Sequence, residues 1–173
     1  IGFFLTGTYW ISNSLQFDQS FKNLIPLTII LIPLTLGLFY GLGLLVCGKY
    51  LKYNYSSVIL FCATVSAIDY LRSKILTGFP WNIWAYSWSW FIEIIQILNP
   101  IGLFAFNLLT ITLFCLPTIF FLNRSQYKGF ILIIFSISFF GNYLYGNYLL
   151  NNNKIESEKH LNQKELVNIK IIS

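Results

Sequence analysis

The stretch Leu24-Ile-Pro-Leu-Thr-Ile-Ile-Leu-Ile-Pro-Leu-Thr-Leu-Gly-Leu-Phe-Tyr-Gly-Leu-Gly-Leu-Leu-Val-Cys-Gly48 runs without one charged residue. About 20 apolar residues in a helix cross a hydrocarbon core of ~30 Å. This stretch therefore reads as a complete membrane span, with Pro26 near its start and Pro33 placed to kink it. Other uncharged runs extend the pattern on both sides. Residues 1 to 12 read as the end of a truncated span, and residues 56–76 as the third. That third run is uncharged only as far as Ile68, so Asp69, Arg72 and Lys74 fall at its last turns, near an interface. The uncharged stretch between Glu93 and Arg124 holds a span over 98–122, with Asn99-Pro100 as the helix start and Pro117 as a kink. Residues 129–150 complete the set. The expected fold is an all-α polytopic membrane protein, a bundle of about five transmembrane helices over residues 1–150.

Composition agrees with this class. The chain is 56% hydrophobic and 10% charged, with a mean hydropathy of +0.66. Soluble domains are about 25% charged. Six acidic and eleven basic residues are too few to coat a water-soluble surface, and the net charge of +5 reads as loop asymmetry rather than a nucleic-acid footprint. Methionine is absent and Ile1 already lies in an apolar segment, so either the N-terminus is expected to have been removed or the chain to be an internal piece of a longer protein. Residues 151–165, Asn-rich with mixed charges, read as a linker. Leu166-Val-Asn-Ile-Lys-Ile-Ile-Ser173 has the alternating, β-branched character of a first strand of a further domain.

Short loops set the orientation. Lys49 to Tyr55 carries Lys49 and Lys52 and no acid, and Asn123 to Lys128 carries Arg124 and Lys128 and no acid. Both are expected on the cytoplasmic side. The loop of residues 77–96 and the 151–165 tail then face outward. Lys22, Arg72 and Lys74 also fall on that outer side, against the rule, which hints at a bound anion. Cys47, Cys62 and Cys115 are scattered among apolar residues in no metal-ligand spacing and read as small buried hydrophobes. His160 lies in the polar tail. No metal site and no cofactor are expected.

Three features carry possible chemistry. Gly37-xxx-Gly41, with Gly43 and Gly48, makes a small-residue stripe that lets another helix approach. Thr77-Gly-Phe-Pro-Trp-Asn-Ile-Trp-Ala-Tyr-Ser-Trp-Ser-Trp90 holds four of the five tryptophans. Two readings of it stand: an interfacial aromatic belt, which accounts for Trp84, Trp88 and Trp90, or a lipid contact in which Gly78 and Pro80 fix a turn that aims Phe79 and Trp81. Asp69 and Arg72, three apart on one helix face, also admit two readings: an Arg that snorkels into the headgroups, or a phosphate-binding Arg held by its carboxylate neighbour.

Asp69-Tyr-Leu-Arg72, Thr77-Gly-Phe-Pro-Trp81 and Tyr86-Ser87, in that order, resemble the E-x-L-R, TGFPW and GYS signature of the membrane part of apolipoprotein N-acyltransferases. Gly2-Phe-Phe-Leu-Thr-Gly-Thr-Tyr-Trp-Ile-Ser12 and Gly102-Leu-Phe-Ala-Phe-Asn107 are similar to the third and the start of the sixth transmembrane segments of that family. The acid is Asp69 where the family has Glu; Ala85 and Trp88 replace a Gly and a Gln. The resemblance implies a bacterial inner-membrane enzyme of eight spans with a periplasmic nitrilase-like domain. It implies transfer of an acyl chain from a phospholipid to the α-amino group of a diacylated apolipoprotein, by a monomer without a cofactor. The covalent chemistry, by Glu, Lys and Cys, is then expected beyond Ser173. Asp69, Arg72, Thr77, Gly78, Phe79, Pro80, Trp81, Tyr86 and Ser87 become the candidate lipid-binding residues.

Two other classes fit a membrane chain. A transporter usually carries charged residues near the midplane, repeated in two halves, and neither is found in the sequence. A noncatalytic membrane anchor for an outer domain would leave the Gly-Phe-Pro-Trp turn and the outward basic residues without a purpose.

Overall fold

A computed structural model describes residues 1–75, 80, 82–122 and 128–162, apart from the side chains of Phe120 and of residues 160–162. All regular structure among the described residues is helical. Helix α1 (Gly2–Thr8) passes through 3-10 turns at Tyr9–Gln16 and Gln19–Leu24 into α2 (Ile25–Gly48), and α3 (Tyr55–Ile75) follows. A 3-10 turn at Trp84–Trp88 leads to α4 (Ile92–Ile95), α5 (Leu98–Ile101), α6 (Leu103–Cys115) and α7 (Thr118–Phe121), and then to α8 (Lys128–Asn162). The expected strand over 166–173 lies outside the described residues.

The uncharged run from Leu24 to Gly48 is α2, which starts one residue later, at Ile25, and ends at Gly48. Pro26 stands in its first turn, where the missing amide has no intrahelical partner to lose. The Thr28 and Thr35 hydroxyls donate to the carbonyls of Leu24 and Leu31, so neither faces lipid unpaired. Helices α2 and α8 are long and apolar enough to cross a membrane, yet only 11% and 6% of their apolar windows are buried. Leu27, Ile30, Leu31, Leu38, Leu42 and Leu45 all point outward. In water this surface would far exceed the few hundred Å² of contiguous apolar patch that soluble monomers tolerate. The interior, by contrast, holds Asp69, Arg72, Ser73, Asn107 and Thr110. An apolar outer surface around an interior that mixes apolar side chains with these buried polar ones is the arrangement of a chain whose solvent is lipid.

Between α2 and α3 the backbone turns tightly. Asn54 Oδ1 accepts from the Ser57 amide and hydroxyl, each at 2.9 Å, which caps the first turn of α3. Of the glycine stripe, Gly43 alone meets α3: a Cβ there would strike the side chain of Ile68. Gly37 has only ordinary contact with Ile1, and Gly41 and Gly48 face open space.

The stretch expected as one span over 98–122 is three helices. Gly102 has φ +77, a left-handed conformation no α-helix continues through, and its amide donates to the Leu98 carbonyl to close α5. Pro100, expected at a helix start, lies in the first turn of α5, and Pro117 separates α6 from α7. At the other end, helix continues past residue 150 to Asn162, over most of the expected linker. No Gly or Pro follows Gly146 to stop it, and Lys154 and Glu158 stand four apart, a favourable helical spacing. Its 35 residues rise ~1.5 Å each, more than a ~30 Å core needs, so the charged last turns project beyond the apolar layer. Helix α8 is held to α4, where Gly146 sits directly on the Glu93 carbonyl and Asn142 Nδ2 donates to the Ile94 carbonyl at 3.1 Å.

Candidate functional site

Cys62, Val65, Asp69 and Arg72 recur at spacings of three and four along α3, and all are buried. That periodicity is one helix face. The face that starts apolar in the first half of α3 therefore delivers a carboxylate and a guanidinium into the middle of the bundle.

Asp69 is 0% exposed and Arg72 1%. Arg72 Nη2 donates to Asp69 Oδ1 at 3.0 Å, and the Tyr40 hydroxyl from α2 donates to the same oxygen. Asn107 Nδ2, from α6, donates to Asp69 Oδ2 at 2.8 Å. The other end of that amide, Asn107 Oδ1, accepts from the Ala85 backbone amide at 2.9 Å. One carboxylate thus joins α2, α3, α6 and the Trp84–Trp88 turn. Dehydrating an ion costs several kcal/mol, which is tolerable only when hydrogen bonds replace its water; Asp69 has three donors.

Arg72 is less well provided. The face of Phe4 lies 5.2 Å from its Cζ, a cation–π contact from α1. Its Nε and Nη1 are buried and have no hydrogen-bond partner among the described residues. The Trp84 Nε1 is buried too and faces the Tyr40 hydroxyl without completing a hydrogen bond to it. Buried polar groups are nearly always paired, so the unmet demand here is for acceptor oxygen, and beside a guanidinium the favoured acceptor is anionic. The Asp69–Arg72 pairing expected from the three-residue spacing is present. The guanidinium is buried among the described residues, against Asp69 and Phe4, rather than extended from the bundle surface.

The aromatic segment divides in the same way. Trp90, 89% exposed, fits an interfacial belt. Trp84 and Trp88 do not: Trp84 stacks on Phe3 with centroids 4.9 Å apart, and Trp88 packs on Phe114 and Phe139 while its Nε1 donates to Thr110 Oγ1 at 3.1 Å. Both indoles are built into the bundle. Tyr86 and Ser87 lie on the exposed side of the turn, and the Ser87 hydroxyl donates locally to the Trp84 carbonyl. Burial pushes the Tyr86 phenol above its ordinary value, and the positive charge of Arg72 works against that rise. Pro80 is half-buried. Thr77, Gly78, Phe79 and Trp81 lie outside the described residues. Below Trp88, a cavity of about 270 Å³ opens between α6 and α8, lined by Leu113, Ile134, Phe139 and other largely apolar groups.

Tyr40, Asn107 and Thr110 complete the site and were not singled out as site residues from the sequence. The available signal was polarity: Asn107 is the most polar side chain in α6, and a lone amide in an apolar helix is commonly an interhelical fastener.

Residues 1–116 match the family model described as the apolipoprotein N-acyltransferase N-terminal domain. The chain is 29% identical over 119 residues to the apolipoprotein N-acyltransferase of Rhodopseudomonas palustris, covering 68% of this chain and 22% of that protein. It is 27% identical over 129 residues to that of Rhizobium meliloti, covering 74% and 24%, and 30% identical over 120 residues to that of Rhizobium etli, covering 69% and 22%. The chain therefore spans under a quarter of the length of these relatives. No solved structure matches it.

Proposed function

This chain belongs to the apolipoprotein N-acyltransferase family, and on that premise we propose that it is the membrane-embedded part of an enzyme that completes lipoprotein maturation. The acyl donor is a phospholipid and the acceptor is the α-amino group of a diacylglyceryl-cysteine. A cysteine thiolate attacks the donor ester and forms a thioester as lysophospholipid leaves. The acceptor amine then attacks the thioester, forming the amide and releasing the thiolate. A two-step route suits two bulky lipids that take turns at one nucleophile.

The Glu, Lys and Cys of that chemistry belong to a periplasmic nitrilase-like domain following Ser173. Cys47, Cys62 and Cys115 sit in α2, α3 and α6 as free thiols, none of them in an ion pair among the described residues. The present residues form a bundle of about five spans in the bacterial inner membrane. Their part is to receive the donor. Arg72 meets the headgroup phosphate with the N–H groups that Asp69 leaves unbonded, Asp69 holds the guanidinium in place, and Thr77, Gly78, Phe79, Pro80, Trp81, Tyr86 and Ser87 are the candidate contacts to the donor lipid.

One observation carries this reading: a guanidinium 1% exposed with one nitrogen on Asp69 and two nitrogens lacking an acceptor among the described residues. Phosphate is the anion a membrane supplies in quantity. The test is to incubate the purified full-length protein with phospholipid labelled in its acyl chain, then add a diacylated lipopeptide. Labelled thioester should form with phospholipid alone and pass its label to the lipopeptide amine. Absence of an acyl-enzyme, or transfer that bypasses it, overturns the proposal.

A further inference from the structure

The Trp84–Trp88 turn has no cap of its own, since its N-cap residue is Ile83, which has no side chain able to accept a hydrogen bond. First-turn amides lack intrahelical partners and must be satisfied from elsewhere. Here the acceptor comes from another helix. Asn107 Oδ1 accepts from the Ala85 amide, and one turn further along α6, Thr110 Oγ1 accepts from Trp88 Nε1. Residues 107 and 110 of α6 thus fasten residues 85 and 88 of the turn, three apart in both elements. Thr110 ends there. Asn107 goes on, donating to Asp69 Oδ2 with its other end, at 0% exposure.

We infer that Asn107 is a positioning residue for donor binding: it sets the aromatic turn and the Asp69–Arg72 pair at one fixed separation, so that the unbonded N–H groups of Arg72 and the turn engage the same donor molecule. This rests on the phosphate contact proposed above for Arg72. Tyr40 also touches both the ion pair and the turn, through Asp69 and the Trp84 side chain, but Asn107 bonds the backbone of the turn itself. A shift of the turn is passed through one amide to the Asp69 carboxylate, and from its Oδ1 to the guanidinium. The role is distinct from holding the turn alone, which Thr110 shares.

The test uses the full-length protein and separates the two half-reactions: thioester formation from phospholipid, and discharge of preformed thioester to lipopeptide. Asn107→Ala should raise the donor KM for thioester formation by about tenfold, because a buried acceptor and a buried donor are both left unpaired. Discharge should proceed at the wild-type rate. Thr110→Val, which frees only the turn, should change donor KM much less. If Asn107→Ala does not insert, Asn107→Asp keeps the shape and the Ala85 contact but sets a carboxylate against Asp69, and should raise donor KM likewise. The reciprocal Asp69→Asn/Asn107→Asp exchange restores an amide-to-carboxylate bond and should recover part of that loss.

Equal slowing of both half-reactions, or equal effects of Asn107→Ala and Thr110→Val, would make Asn107 a structural strut only and overturn the inference. Arg72→Gln is the reference. A raised donor KM in Arg72→Gln beside a wild-type KM in the Asn107 variants overturns the positioning role alone; a wild-type KM in Arg72→Gln overturns the phosphate contact and the positioning role with it.

Discussion

The Tyr40 hydroxyl and Arg72 Nη2 donate to the same oxygen of Asp69, so the ion pair of α3 is locked to α2 through a single atom. Two residues of one helix and one of another share the arrangement, but removing each has a different consequence. Tyr40→Phe deletes one donor and leaves Asp69 with two, a loss of about 1 kcal/mol. Asp69→Asn leaves a buried guanidinium without a counter-charge, which typically destabilises by ~3–5 kcal/mol. Unfolding of the detergent-solubilised protein should therefore give a small shift for Tyr40→Phe and a several-fold larger one for Asp69→Asn. Equal shifts would mean that the carboxylate is not compensating the Arg72 charge.

Arg72 itself tests the chemistry rather than the fold. Its Nε and Nη1, without a hydrogen-bond partner among the described residues, are donors fixed in direction by a planar guanidinium, which a lysine ammonium does not reproduce. Loss of a charge-assisted hydrogen bond is worth ~1.5–3 kcal/mol, about a tenfold to hundredfold slowing of thioester formation if the contact persists in the transition state. Arg72→Gln should fall in that range per correctly inserted molecule, and Arg72→Lys between it and wild type. Reduced membrane yield with normal activity per inserted molecule would identify Arg72 as structural only.

How much of this was legible in the residues depended on the range of the interaction. Helix α2 needs nothing beyond itself, and an uncharged run read it within a residue. The Asp69–Arg72 pair is likewise local, three residues apart on one helix. Tyr40 and Asn107 reach Asp69 across 29 and 38 residues, and nothing in a helix periodicity says which distant face will arrive. The break at Gly102 was missed for another reason: it lies in a backbone conformation of φ +77, and a glycine flanked by apolar residues reads the same whether it packs or turns. The continuation of α8 beyond 150 was hidden by composition, because asparagines and mixed charges suit an exposed helix as well as a linker.

The glycines of α2 give a clean contrast. Gly43 faces the side chain of Ile68 and Gly41 faces open space. Gly43→Ala forces α3 away or Ile68 into another rotamer, at ~1–3 kcal/mol for overpacking. Gly41→Ala removes a flexible residue from a helix interior and should be neutral or stabilising by up to about 1 kcal/mol. Thermal unfolding in detergent measures both. If the two variants behave alike, the small-residue stripe does not set the α2–α3 approach.

The arrangement in the membrane is the remaining expectation, and it follows from charge and length together. The turn after α2 carries Lys49 and Lys52 without an acid, and the connection before α8 carries Arg124 and Lys128 without an acid. Short basic loops remain on the cytoplasmic side, so α3 is expected to emerge outward, with the Trp84–Trp88 turn and the guanidinium of Arg72 toward the periplasmic leaflet. Helix α8 starts with Lys128 on the cytoplasmic side and carries its charged turns from Lys154 to Lys159 out beyond the opposite face. Lys52 and Ser89 are both exposed, on opposite sides of this arrangement. In a full-length protein whose cysteines are replaced, a single cysteine at position 89 should react with an impermeant thiol reagent on intact spheroplasts, and one at position 52 only after the membrane is opened. Replacing Cys47, Cys62 and Cys115 removes small hydrophobes and no disulfide, so the background should insert normally. Labelling at 52 and protection at 89 in intact spheroplasts would invert the bundle and put Arg72 on the wrong side for a periplasmic thioester.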